Sequence, residues 1–199
     1  NTSGNHNCGF GRNALEGNTT AVNNCAFGFN ALLVNASSSS NNAFGAGSLD
    51  SNTGAGNCAF GTNALAGSTT GTENCAFGNS ALLTLTAAGG CAAFGTRALT
   101  LNTASNNSAF GIDALDVNST GTRNSALGFN ALGALTTGND CSAFGFNALL
   151  AGTGSENSAF GSGALDANTS GGQNAAFGFN ALGAVTTGTG NCAFGSTAL

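Results

Sequence analysis

Hydrophobic and polar positions recur along this chain on a fixed beat. A nine-residue unit, seen as Asn74-Cys75-Ala76-Phe77-Gly78-Asn79-Ser80-Ala81-Leu82, returns twelve times in 199 residues. Its aromatic position falls at Phe10, Phe27, Phe44, Phe60, Phe77, Phe94, Phe110, Leu127, Phe144, Phe160, Phe177 and Phe194. The spacings run 17, 17 and 16 and then repeat, so a 50-residue superperiod overlies the shorter one. Self-similarity of this kind marks a repeat architecture, in which a unit buries its apolar side only against its neighbours.

Each position in the unit tolerates a different set of residues. Gly always follows the aromatic, and Leu always stands five residues after it. Ala precedes the aromatic except at Gly9, and Ala precedes the Leu except at Ser48. Three residues before the aromatic stands Asn, replaced in two units by Cys91 and Cys141. In an extended segment, residues two apart share a face. The Cys/Ser position and the Phe therefore lie on one face, and the Ala and Gly on the other. Leu is at odd spacing from Phe, so a bend at the two variable residues between them is expected to bring both inside. The invariant Gly predicts a turn or a close approach that a Cβ would block. A helix does not fit a nine-residue unit with Gly in its interior.

The joining segments, such as Ser68-Thr69-Thr70-Gly71, carry turn chemistry and absorb the one-residue length changes. Three of them also carry an apolar residue, Leu85, Leu135 or Val185, which is expected to pack against something. The prediction is an all-β chain: a parallel β-solenoid (β-helix or β-roll) of twelve 16–17-residue repeats. Residues 1–199 form a single tandem-repeat domain of four 50-residue units, part of a longer repeat array or filament. Identical positions then stack into a Phe column, a Leu column and an Asn ladder whose amides satisfy one another. The other reading of the Asn is a residue tolerant of left-handed backbone. One coil per unit, the favoured geometry, makes a rod on the order of 55 Å long, whereas three units per coil make a short, wide body.

Composition narrows the partners. The chain has 33 Gly and 15 Phe, no Pro, Met, Trp or Tyr, and only 6% charged residues. Arg12, Arg97 and Arg123 are its only Lys or Arg residues, and its net charge is −5. Nucleic acid and anionic membranes both require clustered cations, so neither is an expected partner. No apolar run approaches the ~18 residues of a spanning helix, and no signal-peptide pattern is present. The absence of Met is read as a processed chain or a portion of a longer one. Disorder is disfavoured because 41% of residues are hydrophobic and held in strict phase.

The Ala-Phe-Gly-x-x-Ala-Leu core, preceded by Asn and a small residue, resembles Asn-x-Ala-Phe-Gly repeats of phage tail-fibre-like and large bacterial surface proteins. More loosely it is similar to the head repeats of YadA-type trimeric autotransporter adhesins, which form a left-handed β-roll. The likeness runs through the whole chain, for instance at Asn124-Ser125-Ala126-Leu127-Gly128-Phe129-Asn130-Ala131-Leu132. The units here are longer than the adhesin repeats, and an aromatic stands where those have an aliphatic residue. A trimer, and a place on a cell or virion surface, are what the resemblance implies.

Candidate chemistry is sparse. Cys8, Cys25, Cys58, Cys75 and Cys192 stand two residues before the aromatic, with Cys91 and Cys141 one residue earlier. They read as small core fillers interchangeable with Ser and Ala, or as disulfide staples between adjacent rungs. No CxxC or Cys/His cluster points to a metal. Asn-x-Ser/Thr sequons occur at Asn1, Asn18, Asn35, Asn106, Asn118 and Asn168. Asn18, Asn118 and Asn168 share one loop position, and with Asn35 they are the candidate glycosylation sites. Phe29, Phe129, Phe146 and Phe179, two residues after the repeat's aromatic, are candidate lateral contacts if they point outward. His6 reads as a terminal loop residue. Asp113 and Asp116 are close enough in sequence to attract Ca²⁺ together, but no calcium-roll motif accompanies them.

No polar constellation breaks the repeat, so no enzyme and no cofactor are expected. The expected function is structural: a subunit or shaft of an extracellular filament or fibre that self-assembles by head-to-tail stacking of open solenoid ends. One residue added after Leu199 would restore the 50-residue phase at Asn1. The alternative is an adhesin head or tail-fibre segment that binds surface glycans. An ice-binding solenoid, which needs a flat threonine array, is a third.

Overall fold

The computed structural model describes residues 3–199. Twelve three-residue strands, from β1 (Cys8–Phe10) to β12 (Cys192–Phe194), form one parallel sheet in strict chain order. Each strand pairs with the next in repeat register, as in Cys58↔Cys75, Ala59↔Ala76 and Phe60↔Phe77. Each unit is therefore one coil of a β-solenoid. The alternative of three units per coil is excluded.

The turn after each strand is built into the sequence. Gly61 holds φ at 138°, and a Cβ on it would sit 2.5 Å from the Gly78 carbonyl oxygen on the next rung. Only Gly relieves both constraints. Two residues on, the chain enters the left-handed region at Asn63 (φ 57°), and again at Leu65 (φ 53°). The position three after the aromatic is mostly Asn, Asp or Gly, residues that tolerate this conformation. The Leu is not such a residue, yet eleven of the twelve adopt φ between 50° and 57°. Its burial offsets a local cost on the order of 1 kcal/mol.

The core is one Leu thick. Leu32, Leu49, Leu65, Leu82, Leu99, Leu115, Leu132, Leu149 and Leu165 are completely buried, facing the Ala residues of the strands. At Gly9, where other rungs carry Ala, a Cβ would meet Leu15 Cδ1 at 3.4 Å, which shows how little room lies between strand and Leu. This corrects the expected placement of the aromatic. The Phe column lies on the outer face with the Cys/Ser column, because the narrow interior admits only Ala from the strand. Leu85 and Leu135 are buried in this core and Val185 packs against it, so the apolar loop residues do find their partner within the chain.

The remaining corner of the interior is polar. Asn74 N–H donates to Asn57 Oδ1 (3.0 Å), Asn57 N–H to Asn41 Oδ1 (2.9 Å), and Asn41 N–H to Asn24 Oδ1 (2.9 Å). This is the ladder reading of the Asn. The left-handed backbone falls one residue earlier, at positions such as Asn23 and Glu73.

Candidate interaction surfaces

Three outward-facing features could meet a partner: the thiols, the hydroxyls and the phenyl rings. Cys8 stands in register with Cys25, and Cys58 with Cys75, on the outer face of adjacent strands. All seven cysteines are free thiols. Pairings 50 residues apart, 8 with 58 or 25 with 75, would have to cross three rungs, roughly 14 Å, and are out of disulfide reach. Burial, and then the neighbouring Cys75, push the Cys58 thiol above its ordinary value.

Cys91 and Cys141 are different. They are buried at the Asn-ladder position, where Cys91 N–H donates to Asn74 Oδ1 (3.0 Å) and its thiol donates to Ala104 O (3.2 Å). The Cys141 thiol donates in the same way to Gly154 O (3.2 Å). Burial raises both thiols, and hydrogen bonds from the Asn107 and Asn157 backbones respectively offset part of that rise. Each follows a rung whose loop places Leu85 or Leu135 in the core, at a position that holds Asn in six rungs, from Asn18 to Asn168. A polar pair has been exchanged for an apolar one at both places.

The candidate glycosylation sites are overturned. Asn18, Asn35, Asn118 and Asn168 are buried, with their amides turned inward: Asn118 Nδ2 donates to Asn102 Oδ1 (2.7 Å) and Asn168 Nδ2 to Gly171 O (2.9 Å). The loop position they share is the second column of the polar corner, so a glycan there would require the coil to open. Asn106 is exposed, and Asn1 lies outside the described residues.

Hydroxyls line another edge of the rod. Nine residues after the aromatic, Thr19, Thr69, Thr103 and Thr169 each donate to the backbone carbonyl at the same position of the next rung, at 2.6 to 3.1 Å. Thr53 does the same to Thr69. These hydroxyl protons are used within the protein.

The phenyl rings form an outer stack in two runs. Successive rings from Phe27 to Phe110, and from Phe144 to Phe194, lie 4.5–5.0 Å apart and within 4–7° of parallel. Within each run neighbours cover the ring faces, so only edges meet solvent except at the ends of a run, as at Phe110 and Phe194. The stack breaks once, at Leu127 in β8 (Ser125–Leu127), leaving an apolar notch of about 160 Å³ walled by Phe110 and Phe144. The four candidate contact residues do point outward: Phe29, Phe129, Phe146 and Phe179 are 42–57% exposed. Phe129 and Phe146 stack at 5.5 Å, and Arg12 sits 5.8 Å over the Phe29 ring.

Two bidentate ion pairs escaped the sequence reading. Arg97 Nε and Nη2 donate to Asp113 at 2.7 Å each, and Arg123 donates to Asp140 at 2.7 and 2.8 Å. Opposite charges separated by 16 and 17 residues were the available signal, since one rung brings such residues side by side. Hydrogen bonds from Arg123 hold the Asp140 carboxyl below the usual range. With Asp113 held by Arg97, its sequence neighbour Asp116 has no second free carboxylate there for a cation. Among the described residues, no group of three or more His, Cys, Asp or Glu is placed to hold a metal, and no helix is long and apolar enough to cross a membrane. Compared with family models, curated proteins and solved structures, the chain matches none.

Proposed function

We propose that the chain is a structural subunit of an extracellular filament, a shaft that grows by head-to-tail stacking of its solenoid ends. The observation that carries this reading is the complementarity of the two outer edges. Along the sheet, the first strand residue of each rung donates its N–H to the carbonyl at the Asn-ladder position of the following rung, as Cys8 does to Asn24 O (2.8 Å) and Ala175 to Asn191 O (2.8 Å). Every rung thus presents donors on one side and the matching acceptors on the other, so whichever rungs stand at the two ends of a stack are complementary. A second copy in the same register would continue every column. Open parallel edges of this kind are strong templates for addition.

The glycan-binding alternative needs ring faces for sugars to stack on, and the covered faces of the phenyl column offer few. The ice-binding alternative needs free hydroxyls, and many of the threonines in the hydroxyl column spend theirs on the next rung.

Electron microscopy and fibre diffraction of the purified protein test the proposal. Filaments with a strong meridional reflection near ~4.8 Å are expected. Cys192→Pro should shorten them sharply, because it removes the N–H that this position donates to the following rung elsewhere along the sheet. Discrete rods of about 55 Å at every concentration would overturn the reading.

A further inference from the structure

Five of the exposed large apolar side chains cluster on three consecutive rungs. Phe110 and Ile112 lie on the rung of β7 (Ser108–Phe110), Leu127 and Phe129 on that of β8, and Phe146 on that of β9 (Ser142–Phe144). They occupy two outward columns on either side of the invariant Gly. Each is 42–54% exposed, so together they present on the order of 450 Å² of apolar surface, the size at which a patch on a monomer is often functional.

The same rungs carry the notch over Leu127 and, beside it, the stacked ridge of Phe129 and Phe146. The two Arg–Asp bridges bracket the patch. Arg97–Asp113 stands three residues past the aromatic on one flank, and Arg123–Asp140 four residues before it on the other. An apolar centre inside a polar, ion-paired rim is the anatomy of a protein interface.

We propose that this patch is a lateral docking surface for the same patch on a second copy of the chain, joining rods side by side. The inference rests on the reading of the protein as a shaft. Charge selects the partner. The Arg residues at the rim are already held bidentately, so a polyanion finds no free cation there. A basic partner likewise finds Asp113 and Asp140 occupied, and Asp116 already in the field of Arg97. A surface that is apolar at its centre and internally paired at its rim fits another of its own kind, because the paired charges add little repulsion between two chains of net charge −5.

Shape agrees with charge. A two-fold axis brings the Phe129–Phe146 ridge of one copy towards the Leu127 notch of the other, an isologous contact. Area sets the context. A single contact would bury roughly 900 Å² in total, below the ~1,200 Å² of a stable interface. Stacked copies repeat the patch every ~58 Å, so two rods meet at many points and the weak contacts add as avidity.

The test is the width of the filaments and the sedimentation of the purified protein across a concentration series. The wild type should form paired rods. Phe129→Ser with Phe146→Ser should give single rods with unchanged length and axial repeat, and pairing at least ~10-fold weaker. Leu127→Phe, which fills the notch and continues the phenyl stack, should also weaken pairing without endangering the fold. Pairing that survives both variants, or wild-type rods that stay single at every concentration, would overturn the proposal. Length and width are read separately: rods that grow but never pair refute the patch alone, whereas short bodies that still pair through it refute the shaft alone.

Discussion

Gly61 illustrates how tightly one position can be specified. Its φ of 138° and the carbonyl 2.5 Å from a would-be Cβ are two separate obstacles to a side chain. Gly61→Ala should cost about 3 kcal/mol or more, read as a lower midpoint in urea. Gly190→Ala, at φ 70° with open space around it, should cost about 1 kcal/mol. Asn57 is specified by bonding instead. Its Nδ2 donates to Asn52 Oδ1 (3.1 Å) and Gly71 O (2.7 Å), while its Oδ1 accepts from Asn74 N–H (3.0 Å). Asn57→Ala strands buried partners on three rungs and should lower unfolding stability by roughly 2–4 kcal/mol, as equilibrium unfolding would show. Cys91 and Cys141 set a pH dependence. Burial raises both thiols, so the folded state keeps protons that the unfolded chain releases above ~8.5. Their contribution is complete below that pH and is lost as pH climbs through the raised values. Under reducing conditions, the melting temperature should fall between about pH 8 and 10, and less steeply in a Cys91→Ala/Cys141→Ala variant.

At the scale of the rung, two strained choices support each other. The Leu accepts a left-handed backbone because that conformation turns it into the core, and the strand opposite carries Ala because the Leu leaves no more room. The phenyl groups, excluded from the interior, recover burial by covering one another. Leu127 interrupts that arrangement. Leu127→Phe should rejoin the column between Phe110 and Phe144 and stabilise the protein by about 1 kcal/mol, measured by thermal unfolding. Much of this element was legible in advance. The strand, its parallel register and the role of Gly all follow from identical residues at fixed phase. Which face turned inward did not. Alternation sorts residues onto two faces but does not say how wide the interior is, and the width is set by the backbone turn at Gly61 and its equivalents.

At the scale of the whole molecule, each rung bonds only to the rungs before and after it, so length is decoupled from local geometry. Removing residues 51–100, one superperiod, should leave the circular dichroism per residue and the axial rise unchanged and shorten the rod by three rungs, roughly 14 Å. Removing 17 residues instead would set rungs of unequal loop length against unfamiliar neighbours and should cost more stability, which unfolding curves on the two deletions would reveal. The sites legible in the sequence were those defined by phase, such as the in-register thiols and the outward Phe129 and Phe146. The lateral patch was not legible, because it is an accident of adjacency among three rungs that differ from the rest.

By itself the sequence determined the architecture, a parallel solenoid of twelve stacked units whose like positions form columns; the structure chose one coil per unit and the ladder of buried Asn from the readings left open. It could do so because a repeat forces like against like, and stacking follows from spacing alone. The tertiary structure decided what faces water. It placed Phe outside and Ala inside, closed Asn18, Asn35, Asn118 and Asn168 away from solvent, and drew Arg97 to Asp113 and Arg123 to Asp140. Those outcomes depend on the cross-section of the coil. That cross-section arises from four left-handed or glycine turns per rung acting together, a property no single position carries.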